Sequence, residues 1–127
     1  MRVHLDNDFL VRAISSPGPE RERLFELADS NVELQMSSVA WYEFVRGPRT
    51  ADQLAVARSF FSADGIVPLT EDFAERAAEV FRKLGSPRRR SADVAIGVTA
   101  VEMDARLLSG NAADFAAIPG LDVEAVG

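Results

Sequence analysis

The 127-residue chain contains no cysteine. Disulfide staples, thiolate zinc sites and cysteine nucleophiles are excluded with it. Histidine is almost as scarce: His4 is the only one, so cleavage by a pair of imidazoles, one acid and one base, is not open to this protein. Hydrolytic chemistry here has to rest on carboxylates. Lysine also occurs once, as Lys83. No apolar run approaches the roughly 20 residues needed to cross a bilayer, and the opening MRVHLDNDFL has acids where a secretory signal has its apolar stretch. A cytosolic protein is expected.

What is present fits one globular domain over residues 1–127, with 47% hydrophobic and 27% charged residues. The net charge of −6 and pI near 4.8 argue against a protein that coats nucleic acid. They are compatible with a nuclease, because an acidic metal site lowers the pI by itself and its bound cations reverse the field that a phosphate meets.

Along the chain, Val3 to Leu5 reads as a short strand ending at Asp6, and Phe9, Leu10 and Val11 open a helix. Pro17, Gly18 and Pro19 break the pattern, and a helix over Glu20 to Asp29 sets Leu24, Leu27 and Ala28 on one face. Val32 to Met36 alternates as a strand; Ser37 or Ser38 caps the next helix, which carries Trp41, Glu43, Phe44 and Val45 and stops at Gly47-Pro48. Thr50 and Gln53 have capping-box spacing ahead of Leu54, Ala57 and Phe61. Ile66 to Leu69 is a strand, and Phe73, Ala77, Val80, Phe81 and Leu84 make a helical stripe that stops at Gly85. The segment from Ser91, ADVAIGVTAVEM, is apolar nearly all round, as in a helix buried on several sides. Arg106 to Leu108 and Leu121 to Val126 complete the strands. This alternation predicts a three-layer α/β/α fold with a mostly parallel central sheet.

In such sheets ligands bind beyond the carboxyl ends of the strands, and acids gather there. Asp6 and Asp8 follow the first strand, Glu43 lies on the helix after the second, Asp93 is in the first turn of the apolar helix, and Asn111 and Asp114 follow Leu108. Carboxylates converging without cations repel one another, so convergence implies a hard divalent ion with oxygen ligands, Mg²⁺ or Mn²⁺. Such an ion activates water and neutralises phosphate charge, giving phosphodiester hydrolysis without histidine. Each acid alone also has a plain explanation, Asp93 as a helix-dipole partner and Glu43 as a solvated side chain.

At this point LDNDFLV resembles the LDTNxLI opening of PIN domains. SSVAWYEFVRG is similar to the helix bearing that family's glutamate, SADVAIGVTAVEMDARLLSG to its D-x-x-IA-x-x-A helix and following strand, and NAADFAAIPGL to its N-x-x-DF segment. The four blocks keep the family's order from Met1 to about Val126 and resemble in particular the VapC toxins of toxin–antitoxin pairs. The resemblance implies an Mg²⁺-dependent ribonuclease with Asp6, Glu43 and Asp93 as metal ligands and a fourth polar position at Asn111 or Asp114. It also implies an RNA substrate, a VapB-like antitoxin and a homodimer. Three departures stand out: Asp8 replaces the usual asparagine, Gly97 sits where alanine is common, and Ser109-Gly110 replaces Thr-Arg.

Arg46, Arg49, Arg88, Arg89 and Arg90 are candidates for RNA phosphates, with a solvated loop as the competing reading. Trp41 and Phe44 suit core packing or a dimer seam better than base stacking, and His4, alternating on a strand, is read as structural. Two other functions compete. Asp6-Asn7-Asp8 also resembles the nucleophile motif of haloacid-dehalogenase-type phosphatases, but that family needs a lysine and a late Gly-Asp-x-x-x-Asp; Lys83 sits in an amphipathic helix and the late motif is missing. The same lone lysine counts against a phosphoacceptor receiver domain. A catalytically inactive RNA- or protein-binding module is the remaining alternative.

Overall fold

Every strand pair in the protein is parallel, because each connection between strands carries at least one helical segment. The computed structural model describes all of residues 1–127. The strands are β1 (Arg2–Leu5), β2 (Glu33–Ser37), β3 (Ile66–Val67), β4 (Ala105–Ser109) and β5 (Asp122–Ala125), in the spatial order β3-β2-β1-β4-β5. Between them lie α1 (Asn7–Ser15), α2 (Pro19–Ala28), α3 (Ser38–Arg46), α4 (Ala51–Ser59), α5 (Glu71–Lys83) and α6 (Ser91–Glu102). Short 3-10 turns at Arg88–Arg90 and Ala112–Phe115 precede α6 and follow β4.

Right-handed crossovers place α1 to α4 on one face, because β1, β2 and β3 step outward in one direction. The chain then returns through α5 and α6 across the other face to β4. The order reverses between β1 and β4, whose register pairs Leu5 with Leu108. A topological switch point therefore opens beyond Leu5. One core of 23 buried apolar residues fills both layers, including Leu5, Phe9, Leu10, Met36, Phe44, Ile96, Leu107 and Leu108. No helix is long and apolar enough to cross a membrane.

Most boundaries follow local chemistry. Ser37 is the cap of α3, its Oγ accepting from Ala40 N–H at 3.1 Å, while the Ser38 hydroxyl instead accepts from Leu69 N–H at 3.0 Å. Thr50 and Gln53 form the expected capping box of α4, and α5 ends where Gly85 adopts a φ of 85°. Pro19 occupies the first turn of α2, so that helix starts a residue earlier than the Glu20 expected, and Ala28 is exposed rather than on its buried face. β3 stops at Val67 instead of Leu69 because Pro68 has no N–H for the ladder. β4 runs to Ser109, one residue past the expected Leu108, and β5 is confined to Asp122–Ala125.

Candidate functional site

Asp6 sits where β1 becomes α1. Its backbone N–H still bonds to the Leu108 carbonyl at 3.0 Å, so the strand ladder fixes its position. One carboxylate oxygen accepts from Asn7 N–H at 2.8 Å and the other from the Ser109 hydroxyl at 2.8 Å. Ser109 Oγ in turn accepts from Asn111 N–H at 2.9 Å, and Asn111 Nδ2 donates to Asp8 Oδ2 at 2.6 Å. A hydrogen-bonded chain thus joins the ends of the two strands at the switch point. Burial, with the Asp8 carboxyl beside it, pushes the Asp6 pKa up to about 8; the bonds from Ser109 and Asn7 oppose that rise without cancelling it.

The other acids approach from separate elements. Glu43, on α3, is raised by desolvation, with Arg46 opposing and Asp8 adding to the rise. Asp93 lies in the first turn of α6 and is pushed up to about 6, first by burial and then by the charges of Asp114 and Glu43, against the pull of Arg90. Asp6, Asp8, Glu43 and Asp93 therefore share one field although they come from three helical segments. Their donor set is oxygen only, the chemistry that suits Mg²⁺ or Mn²⁺. As they stand, no three carboxylates are close enough to grip one ion.

Of the two candidates for a fourth position, Asn111 is hydrogen-bonded into the Asp6–Ser109–Asp8 chain. Asp114, inside the 3-10 turn whose Phe115 is buried, faces Arg90 at 3.7 Å and feels Asp93 by charge. The expected strand end at Leu108 hid Ser109. Its signal was a polar residue ending an otherwise buried strand, and Ser109 is fully buried.

Three of the five arginines singled out in the sequence already have partners within the chain. Arg46 stands 3.9 Å from Glu43 and over the Tyr42 ring, Arg49 lies over the Phe44 ring at 5.1 Å, and Arg90 pairs with Asp114. Arg88 and Arg89 are exposed on the turn before α6. Phe44 is fully buried with Trp41 stacked on it at 5.6 Å, which makes this pair core packing. His4 is a buried structural residue, its Nε2 2.9 Å from Gln35 Oε1 on the neighbouring strand. Lys83 is a solvent-exposed partner of Glu79, without the buried phosphate-facing place that a phosphatase lysine needs.

The larger hollows are one of about 440 Å³ on α5 around Asp72 and Arg76 and two of about 330 and 310 Å³ that both touch Met1, Arg2 and Asp104. None of these is lined by Asp6, Asp8, Glu43 or Asp93, an arrangement suited to an extended polymer more than to an engulfed small molecule.

The fold and crevice define a parallel α/β/α protein with clustered acids at its switch point. The chain belongs to the PIN-domain family, whose description, PIN domain, matches residues 3–121. Ribonuclease VapC19 of Mycobacterium tuberculosis is 34% identical over 100 residues, covering 77% of this chain and 79% of the relative. The fold is shared with a chain of VapBC2 from Rickettsia felis, solved bound to a DNA fragment from their promoter, at a TM-score of 0.79 and 21% identity over 100% of both chains. A toxin–antitoxin complex from Klebsiella pneumoniae aligns at a TM-score of 0.70 and 25% identity over 94% of each chain.

Proposed function

We propose that this chain is a metal-dependent endoribonuclease and the toxin of a toxin–antitoxin pair. The observation that carries the reading is the gathering of acids from three helical segments at the switch point, where the charge of Asp8 acts on Asp6, Glu43 and Asp93 alike. Membership of the PIN-domain family and the likeness to Ribonuclease VapC19 support it.

In this reading Asp6, Glu43 and Asp93 hold Mg²⁺ or Mn²⁺, with Asn111 or Asp114 completing the set. The ion, when bound, supplies Lewis acidity that favours hydroxide over water and offsets charge on the phosphate. Asp6 is the fixed ligand, since the Asn7 N–H and Ser109 hydroxyl hold its carboxylate in one orientation. Asp93, pushed up to about 6, is suited to exchange a proton with attacking water near neutral pH, with Glu43, raised by burial, beside it. Hydrolysis then breaks a phosphorus–oxygen bond of RNA, and solvent protonates the leaving oxygen.

The whole of residues 1–127 acts as one nuclease domain, and the protein works in the cytoplasm as a homodimer restrained by a VapB-like antitoxin. An arginine of that partner is a fitting inhibitor, because a guanidinium pairs with carboxylates bidentately and replaces the metal's charge. The wide spacing of the acids favours one alternative, a non-catalytic binding module.

A cleavage assay on pooled cellular RNA separates the two. Wild-type protein is expected to cleave with Mg²⁺ and not with chelator, and Asp6→Asn or Asp93→Asn to lose at least a hundredfold in rate while keeping the native circular dichroism spectrum. Full activity in either variant, or none in wild type, defeats the nuclease reading. Expression of wild type without a partner should arrest growth where Asp93→Asn does not; equal growth of both rejects the toxin assignment.

A further inference from the structure

Arg12 lies one helical turn after Asp8 on α1 and is exposed. The other arginines near the acids are engaged, Arg46 with Glu43 and Arg90 with Asp114. Arg12 makes no side-chain hydrogen bond or ion pair with the rest of the chain. Its place is nevertheless well defined by Gly110, in the loop after β4. A Cβ on Gly110 would lie 3.1 Å from Asp8 Oδ2 and 3.7 Å from Arg12 Nη1. The backbone does not require glycine there, since Gly110 is not among the residues of positive φ. Space is the constraint: the carboxylate of Asp8 and the guanidinium of Arg12 together flank the position that a side chain at 110 would enter.

Carboxylate and guanidinium do not pair. Asp8 Oδ2 is instead taken by Asn111 Nδ2 at 2.6 Å, and Arg12 Nη1 lies between Gly110 and the C-terminal Gly127, 3.7 Å from where a Cβ on either would sit, with the Glu20 carboxylate also at Gly127 but in no ion pair with it. A basic residue in the last turn of α1 also complements the helix dipole, but that role needs neither a free guanidinium nor a place beside Asp8. A phosphodiester approaching a net acidic surface needs a cation the protein itself supplies, and the planar fork of arginine fits two phosphate oxygens.

We propose that Arg12 is a phosphate-binding residue, gripping the RNA backbone next to Asp8, where the absence of a side chain at Gly110 leaves the guanidinium uncovered. This rests on the nuclease reading above. Arg12 acts on substrate binding and leaves the bond-breaking step to the acids.

The test uses the intact chain and a fluorescently labelled single-stranded RNA of mixed sequence. Cleavage in Mg²⁺ gives kcat and KM, and anisotropy in Ca²⁺ at several salt concentrations gives the salt slope of binding. Arg12→Ala should raise KM about tenfold with kcat within about twofold, and should lower the slope by about 0.7, the share of one phosphate contact on a single strand. Arg12→Lys should recover the slope, because the charge returns, and only part of the KM. Arg2→Ala, at the opposite end of the sheet, controls for the loss of one positive charge. Equal KM and slope in Arg12→Ala and wild type, or a change matched by Arg2→Ala, overturns the assignment while leaving the nuclease reading intact. Absence of cleavage by wild-type protein removes both.

Discussion

Asn111 and Asp114 stand three residues apart after β4, yet their polar atoms meet different neighbours. Asn111 donates to Asp8 and so neutralises part of the repulsion between Asp8 and Asp6; Asp114 is drawn towards Arg90. Asn111→Ala removes the only side-chain donor to Asp8 and is expected to lower cleavage at least tenfold, with a melting temperature within about 3 °C of wild type. Asn111→Asp places a carboxylate against Asp8, so without metal it should destabilise, and Mg²⁺ should restore the loss by tightening its own binding. If Asp114→Asn abolishes cleavage with the fold intact while Asn111→Ala does nothing, Asp114 fills the fourth position instead. The acids themselves were legible as residues following strands. Ser109 stood out in the sequence only as a departure from Thr-Arg; its bond to Asp6 was not readable, because it needs the pairing of β1 with β4 to be known.

Helix α6 shows how an element can look irregular in sequence and be well fitted in space. Gly97 costs about 1 kcal/mol of helix propensity relative to alanine, and nothing in its own backbone calls for glycine. Its reason is Ile118: a Cβ at position 97 would overlap Ile118 Cδ1 and approach Leu121 Cδ2 to 3.2 Å. Ile118 is itself 5% exposed and has little room to turn aside. Gly97→Ala is therefore expected to destabilise by about 1–3 kcal/mol in urea unfolding, overlap outweighing the helix gain. Adding Ile118→Val, which deletes the overlapping methyl, should recover most of it through coupling between touching residues. A Gly97→Ala protein as stable as wild type would show that this packing is loose. The helix starts at Ser37, Thr50 and Thr70 were readable from sequence because caps act within three residues.

Across the whole molecule the titration of the crevice opposes that of the surface. Asp6 and Asp93 have folded pKa values pushed up to about 8 and about 6 from the ordinary 3.8. Their stabilising contribution is therefore full below about pH 4 and is lost as pH rises through about 6 and then about 8. Glu124 is lowered, first by its hydrogen bonds from Arg23, so its contribution is present above the ordinary glutamate range and lost as pH falls. Metal-free protein should accordingly melt at progressively lower temperature from pH 5 to pH 8.5, and Asp6→Asn should flatten that decline. Mg²⁺ should raise the melting temperature more at pH 8 than at pH 6, because an ion needs ionised carboxylates. Melting curves that stay level over this range, without metal, contradict the coupling.

The sequence alone determined the alternation of strands and helices, the apolar stripes that make both layers of the core, the exclusion of thiol and two-imidazole chemistry, and the family. Those properties are local or compositional: periodicity, caps and motif order need no knowledge of distant neighbours. Tertiary structure decided which strands lie side by side, and hence that Asp6 and Ser109, 103 positions apart in the chain, share a hydrogen bond. It decided that Arg46 and Arg90 spend their charge on Glu43 and Asp114 while Arg12 stays free beside Asp8. The raised pKa values belong to it as well, since desolvation and carboxylate repulsion depend on burial and separation, which only the folded chain fixes.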